Sequence, residues 1–291
     1  MSWKQISFEV KKSETDLISE VLMGLGSLSI TYSDAQDDAI YEPPVGQTPL
    51  WDSVIVNALF SSEVNQKSIE NSILEICNIV VIDTLELEDR VWEDECKKDF
   101  PSMRFGKRIW VCPSWDTETK FSNDSLVIKM DPGLAFGTGT HQTTSLCLEY
   151  LDLNPPKNLH VIDFGCGTGI LAIAAAKFSA KSVIAIDNDP QAILSSRENV
   201  INNNCEKIVK TTHLTVDIDS CDLLIANILT NTLIELAHKF AVLIKPGGKL
   251  LLSGILKEQV DRVVECYSEY FDSFEVSNLD EWFRIVGKRK T

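Results

Sequence analysis

The chain has 291 residues, 44% hydrophobic and 24% charged, which provides for sizeable cores in about two domains and argues against wholesale disorder. Its net charge of −16 is uneven, because residues 1–100 hold 20 Asp/Glu against 7 Lys/Arg and residues 101–291 hold 23 against 20. Phosphate contacts need Lys and Arg, so the first third makes a poor nucleic-acid surface; its acidity suits a basic protein and equally suits solubility alone. No apolar run reaches the ~18 residues of a membrane span, so no membrane association is expected. The start, Met1 to Gln5, lacks the basic and then apolar pattern of a signal peptide. Eight cysteines contain no Cys-x-x-Cys pair, and the nearest neighbours, such as Cys96 and Cys112, stand 16 apart. That spacing offers no zinc site, and the expectation is reduced thiols in a cytoplasmic protein.

In chain order, Trp3–Val10 reads as a strand, Ser13 as an N-cap, and Leu17, Ile18, Val21, Leu22 and Leu25 as one helix face. Leu28–Tyr32 is a short strand, Ser33–Pro49 a polar connection and Val54–Phe60 a second strong strand. Ile69, Ile73, Leu74 and Ile76 mark a helix, and Ile79–Leu87 returns to strand. The order β-α-β-β-α-β predicts a ferredoxin-like sandwich. RNA-recognition domains share it, but Ile79–Leu87 lacks both stacking aromatics and basic residues, so the module reads as protein-contacting. Glu88–Pro101 reads as a linker helix with Val91 and Trp92 inward, and Met103–Pro113 as a strand pair or arm. After a strand at Leu126–Met130, strands at His160–Phe164, Ser182–Ile186, Lys207–Thr211, Asp222–Ala226 and Lys249–Ser253 alternate with helices. Phe271–Val276 and Trp282–Val286 close the sheet as antiparallel strands. Alternating β and α predicts a doubly wound, mostly parallel sheet. The expected division is a ferredoxin-like domain over 1–88, a linker helix and arm over 89–120, and an α/β domain over 121–291.

The chemistry concentrates at strand ends. In Val161–Leu171 an apolar strand ends in Asp163, and Gly165, Gly167 and Gly169 then open a helix, letting a ligand approach the main chain. A dinucleotide fingerprint would need glycine where Ile170 stands, and no Gly-Lys-Ser/Thr follows for a Walker loop. An acidic strand end tolerates a sulfonium better than a pyrophosphate. Asp187 ends the next strand, where a carboxylate accepts hydrogen bonds from both hydroxyls of a ribose. Asp189-Pro190 reads as a helix cap. Asn227 ends a later strand in Ala226–Leu229; its side-chain oxygen and the Ile228 carbonyl suit the acceptance of amine N–H bonds, and the position equally suits a helix cap. Asp131–Thr144, with three glycines, four threonines and His141, reads as a polar loop able to close over a cofactor or as plain helix-start chemistry. His141 is a candidate catalytic residue, although a lone histidine is more often structural.

These stretches together resemble the ribosomal protein L-eleven methyltransferases, a class I S-adenosylmethionine-dependent family. The resemblance runs through MRFGKRIWVCPSW (Met103–Trp115), DPGLAFGTGTHQTT (Asp131–Thr144), VIDFGCGTGILAIAA (Val161–Ala175), IDNDPQAI (Ile186–Ile193), ANIL (Ala226–Leu229), KPGG…LSGIL (Lys245–Leu256) and WFRIVGKRK (Trp282–Lys290). It implies a Rossmann-like methyltransferase sheet behind an α+β substrate-recognition domain, and S-adenosylmethionine as cofactor. It also implies methylation of the α-amino and lysine ε-amino groups of one basic ribosomal protein, captured by the acidic N-terminal domain without direct nucleic-acid binding. Thr144, Gly165, Asp187 and Asn227 fall on the family's cofactor-contacting positions, and Asp163 and Gly167 belong to the same loop. Gln142 departs from the family's usual proline and Asn188 from its frequent isoleucine. Two other readings stay open: a class I methyltransferase acting on an amino group of RNA or DNA, and a non-catalytic binding protein on a retained fold. No metal is expected.

Overall fold

The computed structural model describes residues 2–36, 49–77, 79, 81–88, 100–131, 141–213 and 219–291. The chain divides between Glu95 and Cys96 into two units. The first contains β1 (Ser2–Lys11), α1 (Thr15–Gly24), β2 (Ser29–Asp34), β3 (Ser53–Ser61), α2 (Gln66–Cys77) and β4 (Val81–Glu88). The sheet order is β2-β3-β1-β4, with every neighbouring pair antiparallel. Side chains alternate across a strand, so Ile6, Phe8 and Val10 share a face with Val54, Val56, Ala58 and Phe60. That face is buried against Ile18 and Leu22 of α1 and Ile69 and Ile73 of α2, pairs one helical turn apart. Each fully buried side chain of this size contributes about 1.5–3 kcal/mol. The β-α-β-β-α-β sandwich is therefore the fold of this unit. Ser13 is not the cap expected of it: it lies inside a 3-10 turn, Lys12–Glu14, whose Glu14 carboxylate accepts from the Lys11 amide at 2.9 Å.

The second unit continues with β5 (Met103–Phe105), β6 (Ile109–Cys112), β7 (Leu126–Lys129), α3 (Gln142–Leu153), β8 (His160–Phe164), α4 (Ile170–Lys177), β9 (Ser182–Asp187) and α5 (Pro190–Asn202). Then follow β10 (Val209–His213), β11 (Cys221–Asn227), α6 (Thr230–Glu235), α7 (Ala237–Leu243), β12 (Ile244–Leu256), α8 (Val260–Tyr267), β13 (Phe271–Leu279) and β14 (Trp282–Arg289). Seven strands form one sheet in the order β10-β9-β8-β11-β12-β14-β13. The first five are parallel, and β14 is antiparallel to both β12 and β13. This is the doubly wound, Rossmann-like arrangement. No helix among the described residues is long and apolar enough to cross a membrane.

The segment 89–120 differs from its expected form. Residues 89–99, with Val91 and Trp92, lie outside the described residues, and the rest is no free arm. β5 and β6 pair antiparallel, β7 joins β6 in parallel, and Phe105, Ile109, Val111 and Ile128 are buried in the second unit's core. Asp152 at the end of α3 fastens this small sheet: its carboxylate accepts from Arg108 Nε at 2.8 Å and from the Lys107 amide at 2.6 Å. The Arg108 guanidinium also lies 4.8 Å from the centre of the Phe178 ring.

Strand parity sorts the side chains of the sheet between its two helical layers. On β8, Val161 packs in the α3–α4 layer while Ile162 and Phe164 pack in the α6–α8 layer. On β11, Leu223 and Ile225 belong to the first layer and Leu224 and Ala226 to the second. Asp163, Asp187 and Asn227 all continue the odd-numbered series, so the three polar strand ends address the α3–α4 side.

Candidate functional site

In an open α/β sheet ligands bind beyond the carboxyl ends of the strands where the chain's direction of travel reverses. Here the reversal falls at β8, from which the chain proceeds outward to β9 and β10 and then returns to β11 on the other side. A cleft of about 360 Å³ opens there, lined by Phe164 and Gly165 after β8, Ile186, Asp187 and Asn188 at β9, and Ile228 and Leu229 after β11. Thr232, Glu235 and Leu236 complete it. Among the described residues its lining is largely apolar with two carboxylates and no cation, which fits a nucleoside bearing a positive sulfonium better than one bearing a pyrophosphate.

The glycine loop is shaped from both flanks. Gly165, Gly167 and Gly169 have φ of +74°, +53° and +80°, a region open to glycine and costly for other residues. The Gly165 and Cys166 amides donate to Ile186 O at 2.8 and 2.9 Å, tying the loop to β9. The Gly167 amide donates to Asp187 Oδ2 at 2.9 Å, while Asp187 Oδ1 accepts from the Asp189 amide at 3.0 Å. Each carboxylate oxygen keeps a further lone pair, so Asp187 shapes the loop and retains acceptor capacity at the cleft wall. Asp189 caps α5, accepting from the Gln191 amide at 2.9 Å with Pro190 in the first turn.

Asn227 and Thr144 meet. Asn227 Nδ2 donates to Thr144 Oγ1 at 3.4 Å. The helix-cap alternative for Asn227 fails, because α6 begins at Thr230 with Leu229 in the cap position and no side-chain cap bond. Thr144 is 1% exposed and sits in the first turn of α3. Ser253, aligned with Asn227 in the β11–β12 register, donates to Thr143 O at 3.2 Å and so braces that turn from below.

Two expected site residues take other tasks. Asp163 is 1% exposed, and its Oδ2 accepts from the Ala172 amide at 2.9 Å, which anchors the start of α4 beneath the loop. Burial pushes its carboxyl up to about 7, with the Ala172 amide opposing and the Asp187 charge adding. It supports the loop rather than lining the cleft. His141, the candidate catalytic histidine, is the N-cap of α3: its Nδ1 accepts from the Thr143 amide at 3.4 Å and lies 2.8 Å from Thr143 Oγ1. Its ring stands edge-on to Trp282 at 5.0 Å between centroids. Burial lowers its pKa, against the opposing charge of Glu281, which keeps the capping nitrogen an acceptor. The cap gives His141 a structural task at the start of α3. Gln142, where the family usually has proline, donates to Asp280 Oδ2 at 2.8 Å.

The expected cofactor-closing loop falls largely on residues 132–140, outside the described residues. Ser253 and Trp282 were missed as site-shaping residues; strand patterning gives them no chemistry of their own, and only their contacts with the start of α3 reveal the task. Among the described residues no group of three or more His, Cys, Asp and Glu is arranged to hold a metal ion.

A family model described as Ribosomal protein L11 methyltransferase (PrmA) matches residues 2–290. A relative from Shewanella amazonensis, named ribosomal protein L11 methyltransferase, is 40% identical over 297 residues that cover 100% of both chains. One of the same name from Shewanella woodyi is 43% identical over 308 residues, again covering 100% of both. The crystal structure of a ribosomal protein L11 methylase from Lactobacillus delbrueckii subsp. bulgaricus superimposes with a TM-score of 0.59 at 30% identity, covering 66% of this chain and 100% of that one.

Proposed function

Because the chain belongs to the ribosomal protein L11 methyltransferase (PrmA) family, we propose that it transfers methyl groups from S-adenosylmethionine to the α-amino and lysine ε-amino groups of ribosomal protein L11. The observation that carries this reading is the gathering of Asp187, the glycine loop and the Asn227–Thr144 pair at one carboxyl edge, beside a largely apolar cleft. When bound, the cofactor would supply an electrophilic methyl carbon on a sulfonium: the amine lone pair would form the N–C bond as the S–C bond breaks, sulfur would leave as a neutral thioether, and the resulting ammonium would lose a proton to water.

The chain's own residues then have distinct tasks. Asp187 accepts the ribose hydroxyls, and the glycines bring main chain close to the ligand. By donating Nδ2 to Thr144, Asn227 leaves its Oδ1 as an acceptor for an amine N–H. The Ile228 carbonyl is a second acceptor, and two acceptors orient a nitrogen lone pair without offering competing hydrogens. A lysine of pKa near 10.4 must arrive neutral, and the apolar walls of Phe164, Ile186 and Ile228 favour the uncharged form. Positioning of this kind accounts for about 7–11 kcal/mol of barrier where it holds the reacting atoms aligned.

Capture of a basic protein is assigned to the first unit, since residues 1–100 carry 20 acidic against 7 basic side chains. The test is mass spectrometry of purified L11 before and after incubation with the chain and S-adenosylmethionine. Mass increments of one methyl group on lysines and on the α-amine are expected; an unmodified protein with labelled ribosomal RNA instead would overturn the reading.

A further inference from the structure

Gly254 and Ile228 lie side by side just beyond the Asn227–Ser253 pair that aligns β11 with β12. Gly254 has a φ of +86°, and a Cβ placed on it would stand 2.5 Å from Ile228 O and 3.1 Å from the Ile228 carbonyl carbon. Across the turn, a Cβ on Gly165 would collide with Ile228 Cγ2. Ile228 therefore sits in a slot with two glycine walls, its peptide against Gly254 and its side chain against the cofactor loop. Among the described residues no backbone donor claims the Ile228 oxygen, so this contact sets where the peptide rests. Gly254 is itself held: the fully buried Thr230 hydroxyl lies 3.3 Å from Gly254 O and 2.7 Å from Gln259 Oε1, which also accepts from the Leu256 amide at 2.9 Å.

We propose that Gly254 is a positioning residue for methyl transfer: by lacking a side chain it seats the Ile228 peptide at the sheet edge and so fixes the neighbouring Asn227 amide against Thr144. This rests on the methyl-transfer reading above. Gly254 touches neither cofactor nor substrate in this role; it acts through Ile228. A Cβ there would push the peptide, not a flexible side-chain tip, and would shift both proposed amine acceptors together.

The test compares Gly254→Ala with Gly247→Ala in the full chain. Gly247 has a similar φ, +77°, but a Cβ there meets nothing within 4 Å, so it reproduces the backbone strain without the collision. For Gly254→Ala, kcat should fall about 30-fold, approaching the ~100-fold cost of a 1 Å misplacement, while KM for the protein substrate and the cofactor Kd stay within about threefold. Gly247→Ala should lower Tm comparably and leave kcat within about threefold. A folded Gly254→Ala whose kcat matches that of Gly247→Ala overturns the proposal, as does an equal loss in kcat and cofactor affinity. If Gly254→Ala does not fold, Thr230→Val decides: removing one tether should lower kcat about fivefold at unchanged cofactor Kd, and an unchanged kcat overturns the proposal. An active wild-type chain beside unaffected variants overturns this inference alone, whereas a wild type that transfers no methyl group overturns the functional reading with it.

Discussion

Asn227 at the end of β11 donates to Thr144 in the first turn of α3, closing a contact between residues 83 apart in sequence. The contact turns Nδ2 of the Asn227 amide toward Thr144 and leaves Oδ1 as the amide's acceptor. Asn227→Ala should therefore lower kcat about 100-fold while weakening cofactor binding only a few-fold. Thr144→Val should produce a smaller loss of the same kind. Steady-state kinetics with calorimetry separates the two effects, and equal losses in kcat and cofactor affinity would make Asn227 purely a cofactor-binding residue.

Asp187→Ala should weaken S-adenosylmethionine by about 100-fold or more, since hydrogen bonds to a charged group contribute about 1.5–3 kcal/mol each and two hydroxyls are served. The fold should persist, because β9 is held by its ladders to β8 and β10. Asp187→Asn should keep part of the affinity by still accepting from the Gly167 amide. Unchanged affinity by calorimetry would reject the ribose role.

Asp163 sets a pH dependence of stability. Its carboxyl is raised to about 7 in the folded chain from an ordinary value near 3.9, so it binds its proton more tightly folded than unfolded. The stability it contributes is complete below about pH 4 and lost as pH rises through about 7. Asp163→Asn retains an oxygen for the Ala172 amide and cannot ionise. Thermal melts should show a higher Tm for the variant near pH 8 and little difference near pH 4; parallel profiles would contradict the burial effect.

His141 tests the difference between cap and base. Its depressed pKa means the neutral ring stabilises the fold above the ordinary histidine value near 6.5, a contribution lost as pH falls through the folded pKa. His141→Ala should cost about 1 kcal/mol, as the loss of a helix cap does, and His141→Asn should restore it. The pH profile of kcat should be unchanged in His141→Asn. A lost basic limb would return the histidine to catalysis.

Asp152→Ala should destabilise the chain by about 3 kcal/mol, at the lower end for a broken buried pair because the Arg108 side chain is 32% exposed. Both partners belong to the second unit, so denaturant unfolding of that unit should shift while cofactor affinity holds.

Much of this was legible in the residues because strand ends carry the chemistry. Asp187 and Gly165–Gly169 are local in sequence, and the alternation of strands and helices around them identifies the sheet that presents them. Asn227 was ambiguous because a strand-end asparagine and a helix cap have the same sequence signature; only the start of α6 at Thr230 separates them. For His141 the cap of Thr143 is local, but its contact with Trp282 joins residues 141 apart and no single stretch shows it. The antiparallel β5–β6 pair is the strand pair read in Met103–Pro113, whereas the parallel pairing of β6 with β7 was invisible because their spacing carries no hairpin signal. The Ile228 slot needs one glycine from the loop after β8 and another from β12, and no single stretch contains both.

The most direct test is a crystal structure of the chain grown with S-adenosylmethionine. The account predicts the ribose hydroxyls on the Asp187 carboxylate and the methyl group turned toward Asn227. A nucleoside bound away from the carboxyl ends of β8, β9 and β11 would contradict it.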